Sequence, residues 1–271
     1  AVDTRKELIP QASYKGFTQM NWPEDFVNKV INGDCLEVMK LIPDKSIDMI
    51  LCDLPYGTTA CKWDTIIPFE PLWEQYKRII KDNGAIVLTA SQPFTSALVS
   101  SNYSMFKYEW IWEKHKATNF MNGNNQPMKI HESILVFGNG KVNYYPQKID
   151  GKPYKQRGAH NIQIEGVNGK RSPKIYSKNH EPNKRLPISI QKFSNHNQKV
   201  NRLHPTQKPV ALFEYLIKTY TNEGDLVLDN CAGSGTTGLA CENLSRNYIL
   251  IEKELEYVQI TKTRLRQETL L

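Results

Sequence analysis

The segment "CDLPYG", residues 52–57, places a carboxylate, a proline and an aromatic ring directly after the apolar run "SIDMIL". An acid at the end of a buried strand is costly unless something binds to it. Pro55 ends the hydrogen-bonded ladder of the strand, and the ring of Tyr56 offers a flat face close to Asp53. A carboxylate beside an aromatic face can hold a flat polar ligand, so this segment is a candidate functional site.

A second segment, "LVLDNCAGSGTTGLAC", places a loop of small residues between a strand that ends at Asp229 and a helix that begins at Thr236. Gly233 and Gly235 allow the backbone to approach a ligand at the carboxyl edge of the sheet, where doubly wound folds bind cofactors. The next strand, "NYILIE", ends on Glu252, an acid placed to accept hydrogen bonds from ribose hydroxyls. No "GK[ST]" follows the loop, so the pattern disfavours nucleoside triphosphates.

The segment "NGDCLEVMKLIPDKSIDMILCDLPYG" predicts two strands with a helix between them, and each strand ends in an acid, Asp34 and Asp53. Parallel strands bring these two acids to the same edge of the sheet as Asp229 and Glu252. An isolated aspartate at a strand end more often caps a helix. Four acids at one edge are harder to explain by capping, and we expect this edge to hold the functional site.

Seven short β-rich runs and several helical patterns must position these residues. The runs are "VING", "SIDMILC", "GAIVLTA", "YEWIWEK", "ESILVFG", "DLVLDN" and "NYILIE", and several are continuously apolar, as strands covered on both faces are. Helical patterns lie between some of them, as in "PVALFEYLIKTY", where Phe213, Leu216, Ile217 and Tyr220 form one apolar stripe. Alternating strands and helices predict an α/β fold with a doubly wound, mostly parallel, seven-stranded sheet. No helical pattern separates "YEWIWEK" from "ESILVFG", which predicts a hairpin.

The composition is that of a globular protein, with 39% hydrophobic and 23% charged residues among 271. No apolar run is long enough to cross a membrane, and the first residues lack the apolar core of a signal peptide. The cysteines are scattered and include no CxxC pair: Cys35, Cys52, Cys61, Cys231 and Cys241. We therefore expect reduced thiols in a cytoplasmic protein, with no disulfide framework and no metal site.

The positive charge is concentrated in one quarter of the chain. Residues 141–208 contain 15 of the 35 Lys and Arg but only three of the 28 acidic residues, so the rest of the chain is acidic. This asymmetry indicates a polyanionic partner, most simply nucleic acid. The candidate nucleic-acid-binding residues are Lys155, Arg157, Lys170, Arg171, Lys174, Lys178, Lys184 and Arg185. Most of this basic stretch lies in an insert, residues 139–203, that separates residues 1–138 from residues 204–271. The insert is expected to form either a small lobe or a segment that becomes ordered when it binds its ligand.

Three segments together resemble a known enzyme family. "DLPYG" is similar to the D-P-P-Y motif of amino-group DNA methyltransferases, "LDNCAGSGTTG" resembles their S-adenosylmethionine loop, and "HPTQKPVALFEYLI" resembles the segment that precedes that loop. Their order along the chain resembles the β group of the family, in which the basic insert is the target-recognition region. One departure is Leu54, where the family usually has proline. This residue is expected to act through its backbone carbonyl, which leucine also provides.

The resemblance implies a Rossmann-like methyltransferase fold, in which residues 1–138 hold the catalytic site and residues 204–271 bind S-adenosylmethionine. It implies that Asp53 and the Leu54 carbonyl hold the two hydrogens of an adenine amine, and that Tyr56, after Pro55, stacks on a base turned out of the duplex. Glu252 would hold the ribose and Asp34 the adenine of the cofactor. The full set of expected cofactor-binding residues is Asp34, Cys35, Asp53, Thr206, Lys208, Asp229, Asn230, Cys231, Ala232, Gly233, Ser234, Gly235, Thr236, Glu252 and Lys253.

Several alternatives stay open at the level of the sequence. Asp53 favours adenine N6 as the target, because cytosine N4 enzymes of this group more often carry serine there. The same fold also serves RNA and protein amides, although the basic insert argues against a protein substrate. A non-catalytic nucleic-acid-binding subunit is a further alternative, which the intact motifs disfavour. Double-stranded DNA is the expected partner, and the resemblance also allows a homodimer and a separate restriction endonuclease.

Overall fold

A twisted sheet of eight strands forms the centre of the fold in the computed structural model. The structure describes residues 20–59, 61, 64–153, 165–166, 169–170, 181–194 and 207–268. Numbered in chain order, the strands of the described residues are β1 (Lys29–Asn32), β2 (Ile47–Cys52), β3 (Ile80–Ala90), β4 (Phe106–Thr118), β5 (Lys129–Phe137), β6 (Ile149–Asp150), β7 (Glu165–Gly166), β8 (Gly169–Lys170), β9 (Lys184–Arg185), β10 (Ile190–Phe193), β11 (Leu226–Asp229) and β12 (Asn247–Glu252).

The order across the sheet is β1-β12-β11-β2-β3-β5-β4-β10. The first five strands in this order are parallel to one another, whereas β5 is antiparallel to both of its neighbours, β3 and β4. The predicted α/β class, the mostly parallel sheet and the β4–β5 hairpin are therefore confirmed. Because β5 runs against β3, the beginning of β5 lies at the edge where the parallel strands end.

The sheet has eight strands where the sequence predicted seven. The additional strand is β10, which pairs in parallel with β4 at the edge of the sheet. The indole of Trp112 donates a hydrogen bond to the Phe193 carbonyl over 3.0 Å. The sequence "IQKF" is too short and too polar to show a strand pattern by itself, and it becomes a strand through its pairing with β4.

The predicted insert, 139–203, does not coincide with a structural unit. The chain divides into a large unit, Ala1–Tyr145 with Ser189–Leu271, and a small unit, Pro146–Ile188. The sheet belongs to the large unit. Within the small unit, β6 pairs with β9 and β7 pairs with β8, both antiparallel.

Helices cover both faces of the sheet. They are α1 (Cys35–Met39), α2 (Phe69–Ile79), α3 (Phe94–Ser101), α4 (Val210–Tyr220), α5 (Thr236–Asn243) and α6 (Leu255–Glu268). Ile50 of β2 belongs to the core that contains Leu72 of α2, while its neighbours Met49 and Leu51 belong to the opposite core with Leu212 of α4. Burial on both faces explains why the central strands are continuously apolar. None of the helices in the described part of the chain is long and apolar enough to cross a membrane.

The last residue of α4 connects this helix to the hairpin. The side chain of Tyr220 is 1% exposed, and its hydroxyl accepts a hydrogen bond of 2.7 Å from the indole of Trp110. The hydroxyl of Tyr108 lies 3.2 Å from the same oxygen. This polar contact inside an apolar core fixes α4 against β4, since an indole N–H without a partner would be costly there.

We expect Tyr220→Phe to lower the free energy of unfolding by about 1–3 kcal/mol, because the buried indole of Trp110 loses its acceptor. Urea denaturation would measure the change. Tyr103→Phe is the control, since Tyr103 is 76% exposed and its hydroxyl is in water. Equal stability of the two variants would contradict this role of Tyr220.

Candidate active site

A cavity of about 640 Å³ lies at the carboxyl edge of the parallel strands. All four strand-end acids line it, as the sequence predicted from the direction of the strands. The predicted residues found in its wall are Asp34, Cys35, Asp53, Leu54, Pro55, Tyr56, Lys208, Asp229, Asn230, Cys231, Ala232, Gly233, Ser234, Thr236, Glu252 and Lys253. Gly235 belongs to the same loop but faces Thr261 and does not line the cavity, and Thr206 lies outside the described residues.

Asp53 follows β2 directly and is oriented by three donors. The hydroxyls of Tyr56 and Thr89 donate to its Oδ1, the former over 2.8 Å, and the ammonium of Lys208 donates to its Oδ2 over 2.6 Å. An ionised carboxylate offers about four acceptor positions. Donors from the described part of the chain occupy three of them, which leaves one acceptor position of Asp53 for a ligand in the cavity.

Lys208 lies between two carboxylates, those of Asp53 and Glu132. Its side chain is 7% exposed, and its Nζ lies 3.4 Å from Glu132 in addition to its contact with Asp53. Lys114 contacts the other oxygen of Glu132. Burial alone would lower the pKa of Lys208, but Asp53 and Glu132 raise it. The pKa of Glu132, which burial alone would raise, is lowered by Lys208 and Lys114, so Glu132 and Lys208 are both charged at neutral pH.

The ring of Tyr56 is held on one face and at its hydroxyl. It stacks on Phe94, with ring centroids 5.2 Å apart and planes 23° apart. The ammonium of Lys208 lies 5.5 Å from the centroid of the same ring. Burial, followed by the charge of Asp53, raises the pKa of Tyr56 well above its usual value, so the hydroxyl stays protonated and donates. Tyr56 therefore positions Asp53 in addition to offering an aromatic surface.

The loop that follows Tyr56 is organised by Asp64, a residue that the sequence analysis did not single out. Its carboxylate accepts hydrogen bonds from three successive backbone amides, those of Gly57, Thr58 and Thr59, over 2.7–2.9 Å. Burial alone would raise the pKa of Asp64, but the hydroxyl of Thr59 and these amides lower it. Such a loop-closing contact leaves no mark in the sequence, because an acid seven residues from a glycine is common.

The glycine loop is supported by the acid of β12. Glu252 Oε2 accepts the amide of Gly233 over 2.8 Å, and its Oε1 accepts the amide of Glu254 over 2.8 Å. The side chain lines the cavity while its two oxygens hold the backbone on either side. Burial raises the pKa of Glu252, and the backbone amides partly offset this. Glu252 therefore shapes the loop as well as presenting a carboxylate.

Two side chains of helix α6 hold the backbone of the glycine loop. Thr261 donates to the carbonyl of Gly233 over 2.8 Å, and Arg264 donates to the carbonyl of Ser234 over 2.9 Å. Gly235 has a positive φ of 77°, and a Cβ at this position would overlap Cγ2 of Thr261. Neither Thr261 nor Arg264 could be recognised from the sequence, because no motif in α6 indicates that this helix contacts the glycine loop.

The remaining two acids, Asp229 and Asp34, differ in how deeply their carboxylates are buried and in how many hydrogen bonds they accept. Asp229 is 3% exposed and accepts hydrogen bonds from the amide of Cys231 and the hydroxyl of Thr237. Burial raises its pKa to about 6. Asp34 caps α1 by accepting the amide of Leu36 over 2.9 Å, yet its side chain is 47% exposed. Asp229 thus holds its own loop, whereas Asp34 presents an accessible carboxylate to the cavity.

Three of the eight predicted nucleic-acid-binding residues lie in the part of the chain that the structure describes. Within the small unit, Lys184 pairs with Asp150 over 2.7 Å, and the guanidinium of Arg185 donates to the carbonyls of Pro182 and Lys152. The backbone of Lys170 forms part of β8. The others, Lys155, Arg157, Arg171, Lys174 and Lys178, lie outside the described residues. Among the residues that the structure does describe, no group of His, Cys, Asp and Glu could hold a metal ion, and all five cysteines are free.

Comparison with known proteins gives concordant results. A family model described as DNA methylase matches residues 47–263. Type II methyltransferase M.HinfI of Haemophilus influenzae is 27% identical over 90% of this chain and 69% of its own length. DNA adenine methyltransferase YhdJ of Escherichia coli (strain K12) is 28% identical over 87% of this chain and 82% of its own length. The crystal structure of an M1.HpyAVI–SAM complex has a TM-score of 0.58 and 27% identity, covering 88% of this chain and 99% of that chain.

We expect Gly235→Ala to weaken binding of S-adenosylmethionine, measured by calorimetry, and to lower thermal stability. Gly224→Ala is the matched control, because Gly224 has a similar φ of 82° but nothing within 4 Å of its Cβ position. Both variants carry a backbone cost of about 1–2 kcal/mol. The additional loss at position 235 measures the overlap with Thr261, and Gly235→Ala/Thr261→Ser should recover part of it. Equal effects at both glycines would contradict this packing.

We expect Lys208→Met to lower the free energy of unfolding by about 3 kcal/mol, the lower end of the range for breaking a buried ion pair, because two partly buried carboxylates lose the cation that they share. Adding Glu132→Gln should restore part of the loss. Lys45→Met is the control, since Lys45 and Asp82 form an ion pair whose side chains are 63% and 71% exposed, for which at most about 1 kcal/mol is expected. Urea denaturation would measure all three variants, and similar losses for the two lysines would contradict the assignment.

Proposed function

The chain belongs to the DNA methylase family whose model matches residues 47–263, and from this premise we propose that it is a site-specific, S-adenosylmethionine-dependent DNA adenine-N6 methyltransferase. The observation that carries the proposal is the position of Asp53. Its carboxylate is fixed by Tyr56, Thr89 and Lys208, retains one acceptor position, and faces the same cavity as the glycine loop. A target amine and a methyl donor can therefore meet there.

The cavity fits the chemistry of S-adenosylmethionine. Its volume of about 640 Å³ is in the usual range of about 300–1,000 Å³ for small-molecule sites. Asp34 offers an accessible carboxylate to the amine or hydroxyl groups of a nucleoside, and the loop at Gly233 brings backbone close to the ligand. When bound, this cofactor supplies a methyl group on a positively charged sulfur. We propose Asp34, Glu252 and the glycine loop as its main binding residues.

The protein's contribution to the reaction is to prepare the amine. The lone pair of an exocyclic amine is delocalised into the ring of the base, which makes the nitrogen a weak nucleophile. Asp53 and the Leu54 carbonyl would accept its two hydrogens and favour a pyramidal nitrogen with an exposed lone pair. Asp53 Oδ2 would then take the proton that the methylated nitrogen releases, while Lys208 stays charged beside it. Tyr56 would provide the surface on which the extruded base lies.

Adenine is favoured over cytosine as the target. A relative that matches most of the chain is named a DNA adenine methyltransferase, and Asp53 occupies the position where cytosine enzymes of this group more often carry serine. Cytosine N4 in DNA and adenine in RNA are the alternatives that the test below includes. The basic residues of the insert are proposed to contact double-stranded DNA. The cytoplasmic location, a homodimer and a separate restriction endonuclease stay predictions.

We expect the protein to transfer labelled methyl groups from S-adenosylmethionine to adenine N6 in duplex DNA, and we expect Asp53→Ala to abolish this transfer. Asp53→Asn should retain a trace of activity, because its amide oxygen still accepts a hydrogen bond. Donor binding by calorimetry should stay within about threefold of wild type, since Asp53 acts mainly on the amine. Mass spectrometry of the nucleosides would identify the methylated base, with duplex DNA and RNA as parallel substrates. Wild-type turnover by Asp53→Ala, or label found in cytosine or RNA, would contradict the proposal.

A further inference from the structure

The turn of the β4–β5 hairpin exposes two adjacent apolar side chains. Phe120 and Met121 are 77% and 86% exposed. They lie in the short 3-10 helix Phe120–Asn122, between the last residue of β4 and the first of β5. Neither belongs to either core of the sheet. A large aromatic and a methionine side by side in water on a protruding turn indicate a surface that another molecule covers.

The base of this turn forms part of the catalytic cavity. Thr118 pairs with Lys129 in the last register of the hairpin, and both residues line the cavity that contains Asp53. The ammonium of Lys129 contacts the hydroxyl of Ser91, which also lines the cavity. The apolar turn therefore continues directly from two residues in the wall of the active site.

The charge of this segment suits a polyanion. From Lys114 to His131 the sequence is "KHKATNFMNGNNQPMKIH", which contains three lysines, two histidines and no acidic residue. Its asparagine and glutamine side chains can donate to phosphates and to base edges. An apolar pair flanked by basic and amide residues is the composition of segments that enter a nucleic-acid groove.

The turn is held in one conformation by its own hydrogen bonds. The Asn122 amide donates to the Asn119 carbonyl over 3.1 Å, and the side chains of the same two residues are joined over 2.9 Å. The Gln126 amide donates to the Asn122 carbonyl over 3.0 Å, and Asn119 adopts a positive φ of 66°. Phe120 and Met121 are thus presented on an ordered turn, which lowers the entropy lost on binding.

We propose that the hairpin turn, Thr118–Lys129, is a DNA wedge that places Phe120 and Met121 in the base stack beside the extruded base. This inference rests on the proposed function. Removing a base from the duplex breaks its stacking on both neighbours, which is unfavourable. Apolar side chains inserted at a base step replace part of the lost stacking. The wedge would therefore lower the cost of extrusion, while Asp53 and Tyr56 act on the base afterwards.

The test compares methyl transfer to two duplexes that carry the sequence methylated by the wild-type enzyme. In one the target adenine is paired with thymine, and in the other it lies opposite an abasic site, which weakens its hold in the stack. For Phe120→Ala/Met121→Ala we expect kcat/KM on the paired duplex to fall about tenfold or more, since lost stacking raises the cost of extrusion. On the abasic duplex the variant should be within about threefold of wild type. S-adenosylmethionine affinity should be unchanged.

Tyr103→Ala is the matched control, because Tyr103 is 76% exposed, as much as Phe120, and does not line the cavity. It should behave as wild type on both duplexes. An equal loss on the two duplexes, or no loss on either, would overturn the wedge. Sedimentation that shows a wild-type dimer and a monomeric Phe120→Ala/Met121→Ala variant would overturn it too, because a second copy of the chain would then cover the turn. Absence of wild-type transfer to both duplexes would contradict the proposed function and the wedge together.

Discussion

The ion pair between Lys208 and Asp53 joins parts of the chain that lie 155 residues apart. Asp53 stands at the end of β2 and Lys208 just before α4, so this one contact connects the end of a central strand to the segment that leads into the second half of the large unit. Glu132 extends the connection to the β4–β5 hairpin. An unpaired charge in this largely buried position would be costly, so Asp53, Lys208 and Glu132 depend on one another. The contact between Lys208 and Asp53 therefore forms only when β2, the hairpin and the segment before α4 are assembled.

A second set of contacts serves the glycine loop, and it uses backbone rather than charge. Small residues let a ligand approach the loop closely, but they provide no side chains to hold the loop in place. Glu252, Thr261 and Arg264 supply that support by binding its amides and carbonyls. The loop is consequently held in place by contacts with β12 and α6, while Gly233 and Ser234 still line the cavity. Preorganisation of this kind reduces the entropy that a bound cofactor must overcome.

The hairpin gives the two functions of the active site a common support. Its inner strand brings Glu132 to the charge network beneath Asp53, and its turn carries Phe120 and Met121 beyond the cavity. The sheet edge proposed to bind the reacting amine is thus continuous with the surface proposed to open the duplex. The turn lies at the carboxyl edge because β4 ends there and β5, which is antiparallel to it, begins there. The proposed methyl transfer and the proposed base extrusion would then both depend on the β4–β5 hairpin.

The sequence by itself determined the α/β class, the hairpin and the common edge of the four acids. These features follow from local periodicity and from strand direction, which neighbouring residues encode. It also held a signal for Glu132 that was not used, since an acid at the start of the predicted antiparallel strand must lie at that same edge. Only the tertiary structure decided that β10 joins the sheet and that Lys208 pairs with Asp53 and Glu132. A short polar strand and a buried ion pair depend on partners far away in the chain, and no local pattern records which distant side chain will be within reach.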